Sequence, residues 1–339
     1  MKSRIETETR LLGLAWLLLV SCGPAKSSNT QPTSDASATA TSTTSATTSA
    51  SASATTSASA SASSSATSAA SASASATVRT DGCPTGMIRI AAASFKMGSD
   101  AGEEDEKPVH EVKLASYCID AREVTIADYR RCVDAKKCLE QGTAEWQHIS
   151  PKDQEFRSQS CNWGKPDRDN HPVNCVDWQQ AAAYCQFADR RLPTEEEWEY
   201  AARGDDGRTY PWGEEAPSEK RLNACGLECV AWAQSQGLKW NAMYSGDDGY
   251  PTTAPVGSYP AGQSPFGVDD MAGNVAEWTA SGYSKNYGRD RNDVERVIRG
   301  GSARSEKTNL VRASNRHKNI AKDRLGGIGF RCARDPLAK

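Results

Sequence analysis

The chemically most distinctive part of the chain is a glycine-punctuated acidic segment, residues 267–279. It contains the carboxylates Asp269, Asp270 and Glu277, and Asn274 adds an amide oxygen. Because its apolar residues follow neither period 2 nor period 3.6, we predict a shaped loop rather than an amphipathic strand or helix. Carboxylates and backbone carbonyls are the ligands that calcium prefers, although the spacing is not that of an EF-hand. The segment alone leaves two alternatives open, a calcium-binding loop and a solvated acidic turn.

Composition and charge narrow the class of protein. The 339 residues carry a formal net charge of −3, so no strongly basic surface predicts a nucleic-acid partner. Eleven cysteines are many for a reducing compartment. Apart from Cys22 they make an even set of ten, which indicates an oxidising compartment and up to five disulfides.

We expect residues 1–22 to be a lipoprotein signal peptide. Lys2, Arg4 and Arg10 precede an apolar run that is too short to span a bilayer but suits a secretory signal. The run leads into Cys22, which resembles the lipobox cysteine that becomes the lipidated N-terminus of a bacterial lipoprotein. Lipidation would anchor the chain to a membrane of the bacterial cell envelope, and Gly23 after the cysteine implies the outer membrane. Ordinary signal cleavage and a short anchor are the alternatives.

Residues 23–77 are predicted to be a disordered linker, because Ser, Ala and Thr make up almost the whole stretch. Such a composition has no apolar face to bury, so conformational entropy opposes folding. As a flexible coil the linker would span about 40 Å, which is enough to hold a domain away from a membrane.

Residues 78–339 are predicted to form one folded domain, since about 260 residues suit a large single domain. Short apolar runs separated by Gly and Pro indicate short strands near its start. Local signals predict three helices: one capped by Thr125, one over residues 176–185, and one capped by Thr194 that ends at Gly204. Turn signals elsewhere predict long irregular segments that metals or disulfides would stabilise.

Several motifs together resemble the formylglycine-generating enzyme family, whose domain is also called the sulfatase-modifying factor domain. The motifs are HPVNCVDW (171–178), AYC (183–185), RLPTEEEWEYAARG (191–204), YPWG (210–213), TAPV (253–256), GNVAEWT (273–279), RGGS (299–302) and GFRC (329–332). The resemblance covers about residues 83–335. It implies an α+β fold, a loop-rich and elaborated C-type-lectin-like single domain.

The resemblance also implies two structural calcium ions. The first set of ligands corresponds to Asn223, Ala224, Asp248 and Tyr250, and the second to Asp270, Gly273, Val275 and Glu277. Side-chain oxygens and backbone carbonyls supply both sets. The alternative is that hydrogen bonds close the same loops without metal.

A disulfide between Cys185 and Cys332 is a further implication of the resemblance. Short sequence separation indicates two local pairs, Cys132 with Cys138 and Cys225 with Cys229. Zinc at the latter pair would lack a second pair of ligands at zinc-finger spacing. Four cysteines remain, with three possible connectivities: Cys83, Cys118, Cys161 and Cys175.

The catalytic residues of the family do not carry over. Its enzymes oxidise a cysteine of a sulfatase to formylglycine, using a cysteine pair that binds copper(I) shortly after the RGGS motif. Here residues 300–312 contain no cysteine, and Ser305 stands about where the first would be. Because copper(I) needs soft thiolate ligands, we expect no copper and assign no catalytic residue. We expect Arg304, Arg312 and Arg316 to form a solvated face rather than a polar groove.

The sequence therefore predicts a lipoprotein whose calcium-stabilised domain is a non-catalytic binding or structural module. Its ligand would be a peptide, a glycan or a partner protein, bound in the groove that the enzymes use for substrate. The alternative is an oxidoreductase related to formylglycine-generating enzyme that acts on a protein or a small thiol.

Overall fold

The computed structural model describes residues 82–288 and 292–337. The predicted signal peptide, the lipidation site Cys22 and the predicted linker lie outside the described residues. All described residues belong to one compact unit. No helix within these residues is long and apolar enough to span a bilayer.

Five α-helices lie in the described part of the chain, and most begin at a side chain that caps the first turn. They are α1 (Ile126–Asp134), α2 (Pro151–Ser158), α3 (Trp178–Phe187), α4 (Glu195–Arg203) and α5 (Leu227–Ser235). The Thr125 hydroxyl accepts from the Asp128 amide before α1. The Thr194 side chain and Glu197 form the predicted capping box before α4, and Gly204 ends that helix. These local predictions are confirmed.

Short strands form three small sheets. The strands are β1 (Met87–Ile90), β2 (Ala93–Met97), β3 (His110–Leu114), β4 (Tyr117–Asp120), β5 (Ala276–Tyr283), β6 (Asn292–Arg299), β7 (His317–Ile320), β8 (Ile328–Gly329) and β9 (Ala333–Arg334). Strands β2 and β3 form a hairpin, and β1, β4 and β9 form an antiparallel sheet. The largest sheet has the order β7-β6-β5-β8, in which only β5 and β8 run parallel. The expected α+β class with long irregular segments is confirmed.

The acidic segment 267–279 corrects one expectation. Only its first part is a loop, because Ala276 begins strand β5 and the segment ends inside that strand. The strand is buried along most of its length on both faces, so its sequence shows no alternation of apolar and polar residues. Trp278, which is fully buried, lies in the core with α3 and β6.

All ten cysteines after residue 82 form disulfides. The predicted pairs Cys185–Cys332, Cys132–Cys138 and Cys225–Cys229 are present. The connectivity that the sequence left open is Cys83–Cys118 and Cys161–Cys175. Cys185–Cys332 joins α3 to the segment just before β9, across 147 residues of sequence. It therefore connects the middle of the domain to its C-terminal end.

Candidate functional site

The first expected calcium set comes together where residues 222–225 pass the turn at 247–250. The Nδ2 atom of Asn223 donates to Oδ1 of Asp248 at 3.1 Å and to the Tyr250 carbonyl at 3.3 Å. The Ala224 amide donates to Oδ2 of Asp248 at 3.2 Å. All four residues thus meet at one buried point, with Asn223 and Asp248 largely excluded from solvent.

The amide of Asn223 provides a test of whether this set fits a cation. Its Oδ1 atom is buried and has no hydrogen-bond partner, while its Nδ2 atom faces the two other oxygens. A half-turn of the amide exchanges the two atoms and directs Oδ1 towards Asp248 and Tyr250. In that orientation three oxygens would face one another, an arrangement that suits a hard cation such as calcium. In the orientation shown, Nδ2 closes the set by hydrogen bonds.

The second expected set lies next to the first. The Asn274 amide donates to the Asn223 carbonyl at 2.8 Å. Gly273 makes this approach possible, because it has φ of +87° and a Cβ there would lie 2.3 Å from the Asn223 carbonyl oxygen. Asp270 is buried, and its Oδ2 atom accepts from the Gly257 amide at 2.6 Å. Glu277 at the start of β5 supplies the other carboxylate.

Buried negative charge is in excess around this second set. Burial raises the pKa of Asp270 to about 6, and the carboxylates of Asp269 and Glu277 act in the same direction. Burial, followed by the charges of Asp270 and Glu277, also raises the pKa of Glu123 well above its usual value. Arg331 is the cation that opposes them, through a direct ion pair with Glu277. A divalent cation would balance the remaining charge, so this set also fits calcium.

Sequence reasoning missed two carboxylates near these sets. Glu123 accepts from Asn274 Nδ2 at 2.7 Å and from the Val275 amide at 3.2 Å. Glu228 accepts from the Asp248 amide at 3.3 Å, and its Oε1 atom is buried without a partner. Glu123 lies about 150 residues before its partners, and Glu228 lies in the first turn of α5, 20 residues before Asp248. No local sequence motif therefore identifies either carboxylate. Among the described residues, no three His, Cys, Asp or Glu side chains are arranged to hold a metal by themselves. Carbonyl oxygens and the Asn223 amide would have to complete either set.

A cavity of about 600 Å³ opens beside the RGGS motif. Ser305 lines it and is itself buried, with its hydroxyl accepting from the Ser302 amide at 3.0 Å. Ser305 also contacts a disulfide segment, since its carbonyl accepts from the Cys225 amide. No sulfur lines the cavity among the described residues.

The expectation of a solvated arginine face after the RGGS motif is wrong. Arg316 is buried and forms a two-point ion pair with Glu195, at 2.6 and 2.9 Å. Arg312 binds Glu106 in the same manner, at 2.6 and 2.9 Å. Arg304 lines the cavity. Arg312 and Arg316 point into the domain because they pair with buried carboxylates, and Arg304 points into the cavity. The carboxylates are more than 100 residues away in sequence.

A protein-family model described as the sulfatase-modifying factor enzyme 1-like domain matches residues 72–336. The formylglycine-generating enzyme of Streptomyces coelicolor is 34% identical over 292 residues, covering 74% of this chain and 89% of that protein. The protein named inactive C-alpha-formylglycine-generating enzyme 2 of Mus musculus is also 34% identical, over 280 residues that cover 73% of this chain and 85% of that protein.

Solved structures have a similar architecture. PvdO from Pseudomonas aeruginosa is 26% identical, with a TM-score of 0.54 and coverage of 74% of this chain and 94% of that chain. Treponema denticola variable protein 1 is 20% identical, with a TM-score of 0.51 and coverage of 74% and 95%. The second likeness concerns the fold alone.

Proposed function

The chain belongs to the sulfatase-modifying factor enzyme 1-like domain family, and on that premise we propose that it is a non-catalytic, calcium-stabilised binding module of the bacterial cell envelope. The groove of the family would be kept as a binding cavity, without the cysteine pair that performs oxidation. Its ligand would be a peptide, a glycan or a partner protein.

The observation that carries this proposal is the state of the cysteines. All ten cysteines in residues 82–337 are buried in disulfides, and none lines the cavity. Copper(I) prefers thiolate ligands, and a disulfide sulfur carries no negative charge to offer it. Ser305 offers a hydroxyl, which is a hard and weakly acidic ligand. The cavity therefore has the space for a substrate but not the donors for copper.

Overall similarity does not separate the two candidate functions. The Streptomyces coelicolor enzyme and the mouse protein named inactive are equally similar to this chain, at 34% identity. The inactive relative supports the idea that this domain persists without the oxidase activity. The local chemistry of the cavity has to decide, and it favours binding. The oxidoreductase alternative rests on the family resemblance.

Calcium would act as a structural cofactor in this proposal. The two sets adjoin through the bond between Asn274 and Asn223, so ions at both would stabilise the same group of loops. Residues 222–225, 247–250 and 270–275 lie outside the helices and strands, and a bound cation would add connections between them. The ligands would be the eight residues expected from the sequence.

The position in the cell follows from the N-terminal sequence. Lipidation at Cys22 would anchor the chain in the membrane, with the outer membrane as the expected location. The Ser/Ala/Thr linker would hold the domain at a distance from the lipid surface. Palmitate labelling of the expressed chain and of a Cys22→Ala variant would test this part, since only the unsubstituted chain should incorporate label.

An activity assay tests the central claim. The full chain would be loaded with copper(I) and incubated in air with a peptide that contains the cysteine motif of a sulfatase. Mass spectrometry would follow conversion of the cysteine to formylglycine, with the Streptomyces coelicolor enzyme as the positive control. We expect no conversion by this chain under conditions in which the control converts the peptide fully. Copper-dependent formation of formylglycine would overturn the proposal and establish the oxidoreductase alternative.

A further inference from the structure

Two arginines share the cavity beside the RGGS motif. Arg157 reaches it from α2, and Arg304 reaches it from the turn that follows the motif. Burial, followed by the charge of Arg157, lowers the pKa of Arg304 to about 10. Arginine side chains are protonated at neutral pH as a rule. The cavity therefore contains two cations close to one another.

Neither cation has a carboxylate partner in the part of the chain that the structure describes. Each lies over aromatic rings instead. Arg157 is 6.0 Å from the ring centre of Trp146 and 5.8 Å from that of Phe156, and Arg304 is 5.6 Å from that of Trp240. A cation–π contact satisfies none of the N–H donors of a guanidinium group with an acceptor oxygen. Their side chains thus present unpaired donors at the cavity.

The remaining polar groups of the cavity add to the excess of donors over acceptors. The Nδ2 atom of Asn319 is buried and has no hydrogen-bond partner. Asp323 is the sole carboxyl group among the described lining residues, and it forms no ion pair with Arg157 or Arg304. Burial raises the pKa of Asp323. Lys318 is already paired with Glu295. Donors and positive charges therefore outnumber the single carboxyl group in this lining.

The walls around these donors are apolar and include the outer strand of a sheet. Ile298, Leu310, Leu325 and Ile328 contribute hydrocarbon surface. Three consecutive residues of β7, His317–Asn319, also line the cavity. Successive side chains of a strand point to opposite faces of the sheet, so they cannot all face one cavity. Three consecutive lining residues therefore indicate that the backbone of β7 also borders the cavity. β7 is the last strand of its sheet, and an outer strand offers backbone groups to an extended peptide.

We propose that the cavity binds an acidic peptide segment, whose carboxylate is held between Arg157 and Arg304 while an apolar neighbour rests on the wall formed by Ile298 and Leu325. The carboxylate would come from an acidic side chain or from the C-terminus of the peptide, since guanidinium groups bind both in the same manner. This inference rests on the proposed binding function, and names the chemistry of the ligand.

Calorimetric titration of the full chain with three short peptides tests the proposal. The first has a central glutamate flanked by alanine and leucine, with both ends capped. The second replaces that glutamate with glutamine, and the third is the glutamine peptide with a free C-terminal carboxylate. We expect the first or the third to bind at least roughly tenfold more tightly than the second, because charge-assisted hydrogen bonds would be lost. Comparing the affinities of the first and third peptides shows whether the bound carboxylate belongs to a side chain or to the C-terminus.

Arginine variants connect the binding to the site. Arg157→Gln and Arg304→Gln should each weaken the tighter peptide by roughly tenfold or more, with little effect on the second peptide. Arg130→Gln is the matched control. Arg130 also stacks on a tryptophan, at 5.9 Å from the Trp163 ring centre, but it is already paired with Asp169. Its loss should leave binding unchanged. If Arg304→Gln fails to fold, Arg157→Gln decides the question, because helix α2 contains no buried residue.

Four results would overturn the proposal: equal binding of all three peptides, no binding of any, unchanged binding by Arg157→Gln, or displacement by inorganic sulfate at the same concentration as the acidic peptide. The last would indicate a site for small anions. The two proposals fail in different ways. Failure of the proposed non-catalytic function would appear as formylglycine formation, whereas failure of the acidic-peptide proposal would appear as binding without selectivity for the carboxylate.

Discussion

Arg331 and Glu277 form a two-point ion pair that is sealed from solvent. Nε of Arg331 lies 2.7 Å from Oε2 of Glu277, and Nη2 lies 2.7 Å from Oε1. Arg331 is 0% exposed and Glu277 is 1% exposed. The same guanidinium group donates to the backbone carbonyls of Asp120 and Asp269. Arg331 therefore joins β5 to the C-terminal segment, and it is the principal positive charge among the buried carboxylates of the second calcium set.

Replacing Arg331 should destabilise the domain strongly. In Arg331→Met an unbranched apolar side chain replaces the hydrocarbon part of the arginine. The carboxylates of Glu277, Asp270 and Glu123 are then left without their cation. Loss of one partner of a buried pair lowers the free energy of unfolding by about 3–5 kcal/mol. Urea unfolding of the full chain in the presence of a chelator would measure the change.

Arg130→Met provides the comparison for this measurement. Its ion pair with Asp169 is exposed, so its loss should change the free energy of unfolding by about 0–1 kcal/mol. Similar effects of the two substitutions would contradict the importance assigned to burial.

Calcium should stabilise the domain at two separable sets of ligands. At a free calcium concentration of 100 times the dissociation constant, one site adds about 2.7 kcal/mol to the free energy of unfolding. Asp248→Asn should remove the contribution of the first set, and Asp270→Asn that of the second. Melting curves with calcium and with a calcium-selective chelator would measure both effects, and atomic absorption would give the calcium content.

Asp134→Asn is the matched control for these two substitutions, because Asp134 is an exposed residue at the end of α1. It should keep the full calcium response. A wild-type melting temperature that does not respond to the chelator would remove both calcium assignments.

The long disulfide should contribute more than a short one. Cys185–Cys332 closes a loop of 147 residues, whereas Cys132–Cys138 closes a loop of 6. In the chain-entropy model the first contributes about 5 kcal/mol and the second about 2 kcal/mol to the free energy of unfolding. Replacing both cysteines of each pair with alanine, in two separate variants, allows urea unfolding to compare them. Equal losses would indicate that local packing at each bridge dominates over chain entropy.

Sequence reasoning succeeded where the determining contacts are local. Thr125 and Thr194 cap helices through residues three positions away, so the sequence itself contains both partners. It failed for β5, since a strand buried on both faces lacks the alternation that identifies a half-buried strand. The pattern of polar residues around Asp270 predicted a loop, but not the strand that follows.

The site contained more than the sequence indicated, because its partners come from distant segments. Glu123 meets Val275 across about 150 residues, and Arg304 shares a cavity with Arg157 across a similar separation. An arginine next to a turn has the same local sequence whether it faces solvent or a cavity. Only the tertiary fold distinguishes the two, which is why the prediction of a solvated face for Arg304 failed.

His171 gives the domain a pH-dependent component of stability. It is buried, and its Nδ1 atom lies 3.0 Å from Nη1 of Arg168 and 3.1 Å from Oγ1 of Thr253. Because a guanidinium group can only donate, Nδ1 must accept, and the ring is neutral. Burial, followed by the charge of Arg168, lowers the pKa of His171 to about 4.

The sign of the effect follows from this lowered pKa. Between about pH 6.5 and pH 4 the unfolded chain binds a proton at His171 and the folded chain does not, so acid favours unfolding. The stability that His171 provides is complete above pH 6.5 and decreases as the pH falls towards 4. The difference in unfolding free energy between the wild type and His171→Asn should therefore decrease by up to about 3 kcal/mol from pH 7 to pH 4, when followed by urea unfolding. Carboxylates that titrate in the same range affect both proteins alike, and the difference isolates the histidine. A difference that is constant with pH would contradict the assignment of His171 as a buried neutral acceptor. So would a His171 imidazole that titrates near pH 6.5 by NMR in the folded chain.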